Sequence, residues 1–149
     1  MSPNDQLLKK LFMNKKMQKS EEDEITLIKT GKICDFIEYT KNFALHDRAV
    51  KLLLTRRFNR KARAFFASIT HPLSGEMVSL LLETQCDDNI EAYFNHYQLG
   101  LANEYILAQT AKTELIARYE KIWGFRSIMA RHYLADNHLV SSINQTSVL

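Results

Sequence analysis

Residues 79–99, SLLLETQCDDNIEAYFNHYQL, and residues 105–125, YILAQTAKTELIARYEKIWGF, carry one apolar frame twice, 26 residues apart. Leu81 answers to Leu107, Ile90 to Ile116, Tyr93 to Tyr119, Tyr97 to Trp123 and Leu99 to Phe125. Upstream, residues 25–45 (ITLIKTGKICDFIEYTKNFAL) and 51–73 (KLLLTRRFNRKARAFFASITHPL) place Leu27, Phe36, Tyr39, Phe43 and Leu45, then Leu53, Ala62, Phe65, Ile69 and Leu73, in the same columns. The copies step by 26, 28 and 26 residues, the two extra residues falling at His71 and Pro72. A period of this length marks stacked supersecondary units, none able to bury its apolar face alone.

Within a copy, Phe36, Tyr39 and Phe43, like Ile90, Tyr93 and Tyr97, are spaced three and four apart, along one stripe of a helix. A shorter apolar cluster at helical spacing precedes each stripe, Ala49, Leu52 and Leu53 in one copy and Met77, Leu80 and Leu81 in the next. Each copy therefore reads as two short helices. Ser20 ahead of Glu21, Glu22, Asp23 and Glu24 suits a helix start, as do Asp87 and Asp88 before Ile90 and Asn59 before Phe65. Gly31, Gly75 and Gly100 mark turns where left-handed backbone is expected. Met129 and Tyr133 continue the columns for one closing helix.

The expected fold is all-α, a right-handed α–α superhelix (solenoid) of about four two-helix repeats with capping helices. The repeat domain covers residues 20–136. Residues 1–19, with Leu7, Leu8, Leu11 and Phe12 in a stripe among lysines, form a basic amphipathic helix or cap, and residues 137–149 a C-terminal tail. At 149 residues and 46% hydrophobic the chain has enough apolar surface for a core, and with only 4 Gly and 2 Pro it favours helices over many short strands. No apolar run reaches the ~18 residues of a membrane span. No signal peptide is evident and Cys34 and Cys86 form no ligand set, which points to a reducing cytoplasm with both thiols half-buried near turns.

The chain resembles the α-solenoids, and more narrowly the short helical-pair units, similar to HEAT repeats, of bacterial repeat proteins. The likeness covers residues 25–136 and is carried by units such as LIKTG from Leu27 and FIEYTKNFAL from Phe36. It implies binding of another macromolecule along an extended surface.

The net charge of +3 conceals an uneven distribution. Residues 1–63 hold 15 Lys or Arg against 8 Asp or Glu, and residues 64–149 hold 5 against 9. The densest cluster, Arg56, Arg57, Arg60, Lys61 and Arg63, falls at the bend inside the second copy. Such a cluster either clamps phosphate oxygens through its guanidiniums or is a solvated turn paired with acids of the next copy, Glu83, Asp87 or Asp88. Phe66 and Phe94, one position past the core ring, are expected to face solvent as a contact patch, since one residue turns a helix by about 100°. The five histidines lack the spacing of a zinc helix, and no nucleophile elbow, phosphate-cradling loop or dinucleotide fingerprint occurs. No metal, cofactor or catalytic residue is assigned. The expected function is a non-catalytic module holding a protein partner or a second copy of itself, with nucleic-acid or phosphate binding through Arg56–Arg63 as the alternative.

Overall fold

The computed structural model describes residues 17–139 and is all-helical over them, without strands. The expected N-terminal cap around Leu7–Phe12 and most of the expected tail lie outside the described residues. Two compact units emerge, Met1–His71 and Pro72–Leu149. Their boundary coincides with the two-residue insertion in the repeat, where Pro72 supplies no backbone N–H.

The first unit contains α1 (Glu21–Thr30), α2 (Ile33–Asn42), α3 (Asp47–Leu53), a 3₁₀ turn (Arg56–Phe58) and α4 (Asn59–Ala67). The second contains α5 (Gly75–Glu83), α6 (Asp87–Phe94), α7 (Leu101–Gln109), α8 (Thr113–Ile122) and α9 (Ile128–Asp136). At 7 to 10 residues these are helices of two to three turns, too short to persist alone in water, so packing must hold them. Packing follows a skip-one order: α1 lies on α3 and α2 on α4; α5 lies on α7, α6 on α8 and α7 on α9. Each unit is thus two layers, one of odd-numbered and one of even-numbered helices.

Three of the odd-layer helices carry a serine cap, while α3 and α7 start at His46 and Gly100 without a side-chain cap. Ser20, Ser74 and Ser127 cap α1, α5 and α9, their hydroxyls accepting from Asp23 N (3.2 Å), Met77 N (3.3 Å) and Ala130 N (3.1 Å). The turns inside repeats depart from expectation. Gly31 ends α1 at φ −77° and Gly100 precedes α7 at φ −70°, so neither is left-handed. The left-handed positions linking α5 to α6 and α7 to α8 are Gln85 and Ala111, each at φ 58°. Gly31 is required for a different reason: a Cβ there would sit 2.5 Å from Leu27 Cδ1 and 2.6 Å from the Leu27 carbonyl oxygen.

The columns read from the sequence form the core. Leu53, Leu81 and Leu107 are buried, as are Phe36, Ala62, Ile90 and Ile116 and the ring series Tyr39, Phe65, Tyr93 and Tyr119, while Leu27 is half-buried. Rings meet across the even layer, Phe36 with Phe65 at 6.1 Å and Phe94 edge-on to Tyr119 at 5.5 Å. The outer series is looser: Phe43 and Tyr97 are half-buried, and Trp123 is partly exposed with its Nε1 donating to Phe94 O.

A further column is the sharpest feature of the interior. Glu24, Val50, Val78 and Glu104 follow the same steps and all are buried. Glu24 accepts from Tyr39 Oη (2.5 Å) and from His46 N (2.8 Å), with His46 Nδ1 also 2.8 Å away. Glu104 accepts from Tyr119 Oη (2.5 Å) and from Arg126 N and Ser127 N (2.8 Å each). The tyrosine oxygens in turn accept from Lys19 N and Leu99 N. Where the column holds Val50, the ring 15 residues on is Phe65 and carries no hydroxyl.

Burial, and then the hydrogen bond to Glu104, pushes the Tyr119 hydroxyl well above the ordinary tyrosine range. Its neutral form therefore adds stability in full below about pH 10, the unfolded value, and loses it as pH climbs beyond. Tyr119→Phe leaves Glu104 Oε2 with only the Arg126 guanidinium at 3.6 Å and the Leu99 amide without its acceptor, a cost of about 1–3 kcal/mol. In urea titrations the variant is expected to unfold earlier at pH 7, with a gap to the parent that narrows above pH 10.

Candidate functional site: a basic groove in the first unit

The 3₁₀ turn and the start of α4 lie beside the α1–α2 turn, and together they enclose an open concavity of about 800 Å³. Six cations line it: Lys29, Lys32, Arg56, Arg57, Arg60 and Lys61. The remaining lining residues are Gly31, Ile33, Cys34, Phe58 and Asn59, so no carboxylate contributes. Local folding explains the crowding. The Thr55 hydroxyl and amide both bond back to Leu52 O, closing α3. Phe58 N then donates to Thr55 O, so Arg56 and Arg57 project from a tight turn just ahead of Arg60 and Lys61 on α4.

The cations differ in how far they are committed. Lys61 is half-buried and its Nζ donates to Ile28 O at the end of α1, where a cation also suits the helix dipole. The Arg57 guanidinium lies 5.7 Å from the centre of the half-buried Phe58 ring. Among the described residues no carboxylate forms an ion pair with Arg56, Arg57 or Arg60, and all three are exposed. Lys51 and Arg63 do not line the groove, so of the five cations Lys29, Lys32, Lys51, Arg60 and Arg63 three share this face.

The corresponding edge of the second unit gives a contrast. Its concavity, of about 670 Å³, is lined by Asp87, Asp88, Glu91 and Glu114 together with Lys112 and Arg118. Here acids outnumber cations and both cations are paired: Lys112 pairs with Asp87, and Arg118 Nε lies 3.1 Å from Glu91 Oε1. Asp87, one of the acids expected to neutralise the arginine cluster, is thereby engaged inside its own unit.

Two predicted contact residues are corrected. Phe66 and Phe94 are 0% exposed. Phe94 on α6 is covered by Tyr119 of α8, and Phe66 packs edge-on against Phe65, so the buried arc reaches past the central ring. Among the described residues the most exposed large apolar side chains are Ile128 (72%), Met129 (62%) and Leu101 (55%), on the first turns of α9 and α7 in the second unit, and Met17 (58%) ahead of α1 in the first. Met129 follows Ala49, Met77 and Asn103 in its column, all of them buried. Both cysteines are exposed rather than half-buried, and Cys34 stands in the basic groove.

Other chemistry is sparse. Among the described residues no group of three or more His, Cys, Asp or Glu side chains is placed to hold a metal ion, and no helix is long and apolar enough to cross a membrane. The two deeply buried carboxylates, Glu24 and Glu104, are occupied by tyrosines and backbone amides. Compared with known proteins, the chain matches no protein-family model, no curated protein and no solved structure.

The groove stores repulsion. Six cations gathered in one concavity with no lining carboxylate repel one another. Arg57→Gln combined with Arg60→Gln is therefore expected to raise the thermal midpoint at low ionic strength. Differential scanning calorimetry at low and at 1 M salt checks this, the gain disappearing where the Debye length falls to about 3 Å.

Proposed function

We propose that the protein is a non-catalytic helical-repeat interaction module, of the α-solenoid kind, that holds an anionic partner in the basic groove of its first unit. The skip-one packing within each unit supports the solenoid reading, because it is the order in which two-helix repeats stack. The observation that carries the function is the groove itself: six cations, no lining carboxylate, and three exposed guanidiniums without an ion pair among the described residues. Exposed charge concentrated in a concavity focuses the field and draws in a ligand of opposite sign. The non-catalytic part rests on the buried carboxylates being bound up in the core and on the absence of any nucleophile-and-base motif in the sequence.

A second reading, a protein partner or a second copy of the chain, is favoured by Leu101, Ile128 and Met129. The N-terminal ends of α7 and α9 adjoin, since Glu104 on α7 bonds the amides that open α9, so these three side chains crown one end of the helix pair. Light scattering on the eluting protein at rising concentration tests self-association, and a constant monomer mass removes it.

Heparin affinity chromatography tests the main reading with a generic polyanion. The parent protein is expected to require markedly more salt for elution than Arg56→Glu/Arg57→Glu/Arg60→Glu, with helical circular dichroism unchanged between the two. Weak retention of the parent, or equal retention of both, overturns it.

A further inference from the structure

We infer that the anionic partner of the groove is a nucleic acid, gripped through its phosphodiester backbone. This rests on the proposed anion-binding role and names the ligand class. Three observations separate a phosphate backbone from an acidic protein surface.

The first is composition. Protein interfaces place apolar and aromatic anchors at a core depleted of charge, with the ionic residues on the rim. The groove has the inverse arrangement, cations throughout and only the half-buried Ile33 and Phe58 as sizeable apolar side chains. Of the exposed large apolar side chains among the described residues, Met17 is in the first unit but does not line the groove, and Leu101, Ile122, Trp123, Ile128 and Met129 belong to the second. Polar, strongly cationic surfaces are the pattern of nucleic-acid contacts.

The second is donor supply. A guanidinium carries five N–H donors in a planar fork and an ammonium three. Arg56, Arg57 and Arg60, joined by Lys29 and Lys32, offer far more donors than one or two carboxylates can accept. A run of phosphates, each presenting two unbridged oxygens to a fork, uses them. The chain has also placed Arg rather than Lys at both turn positions, Arg56 and Arg57, and at Arg60 on the first turn of α4.

The third is the comparison inside the molecule. On the equivalent edge of the second unit, Lys112 and Arg118 are paired with Asp87 and Glu91 of the preceding repeat. In the first unit the residues at those four places are Ile33, Ile37, Phe58 and Ala64, and none can form such a pair. On this edge both cations are thus paired within the second unit, whereas Arg56, Arg57 and Arg60 in the first have no lining carboxylate beside them.

Fluorescence anisotropy with the full chain tests the inference, using labelled mixed-sequence 20-nucleotide single strands, the matching duplex, and a poly-glutamate peptide of equal charge. Binding of either nucleic-acid form, tighter than the peptide, is the expected result, and the two forms distinguish a strand from a duplex as the source of the phosphates. Three to five duplex phosphate contacts weaken affinity by about 40- to 500-fold between 50 and 200 mM salt. Arg57→Gln/Arg60→Gln is expected to make the log–log salt slope shallower by about two, whereas Lys112→Gln/Arg118→Gln leaves it unchanged. A bulky maleimide on Cys34 blocks binding, and the same label on Cys86 does not. Equal or tighter binding of poly-glutamate, with heparin retention intact, overturns the nucleic-acid assignment and leaves the anion-binding role standing. Absence of binding to every polyanion, heparin included, overturns both. A salt slope untouched by the arginine substitutions places the contact elsewhere and also overturns the assignment.

Discussion

A buried carboxylate that ties three chain segments together is the interaction on which each unit depends. Glu24 on α1 receives the Tyr39 hydroxyl from α2 and the His46 amide at the start of α3; Glu104 on α7 receives the Tyr119 hydroxyl from α8 and two amides at the start of α9. An ionised group removed from water costs several kcal/mol unless its oxygens are fully bonded. Here they are, and no buried side-chain nitrogen or oxygen among the described residues lacks a partner. A slip of register by one residue would leave a carboxylate in the core facing carbon. The apolar columns tolerate such slips more easily, so the carboxylates supply the orientation that leucines alone do not.

Because a layer of buried side chains sets the spacing of the helices, the turns at their ends are relieved of structural duty and vary in chemistry. The α1–α2 turn and the Arg56–Phe58 turn gather cations without counter-ions, while the α5–α6 and α7–α8 turns gather cations and anions in pairs. Stability and binding therefore draw on different residues. The core would be intact with a neutral groove, and the positive charge is an expense that makes physical sense only if something negative arrives from outside.

Much of this was legible in residue order. A two-layer stack repeats its buried positions whenever the chain repeats, so Phe36, Ala62, Ile90 and Ile116 announce themselves as core without coordinates. Phe66 and Phe94 were misjudged because a packed helix buries an arc wider than one stripe: Phe94 fills that extra arc against Tyr119, and Phe66 lies edge-on to Phe65. Glu24 was hidden among the acids of a helix start. The tyrosine 15 residues on is no signal for it, since Val78 stands equally before Tyr93; what marked it was only that Glu24 and Glu104 fall in the otherwise apolar column of Val50 and Val78. The left-handed turns at Gln85 and Ala111 had no such signal, since neither residue type prefers that backbone and packing imposes it.

By itself, the sequence determined the helical class, the length of the repeat and the membership of its buried columns, because periodic apolar spacing is a local property that each helix expresses alone. The joining of Lys29 and Lys32 to Arg56, Arg57 and Arg60 in one concavity, and the separation of Lys51 and Arg63 from it, was decided only by the tertiary structure. Which charges meet depends on how the turn of one repeat lies beside the turn of the next, and that placement is set by contacts between helices far apart in the chain.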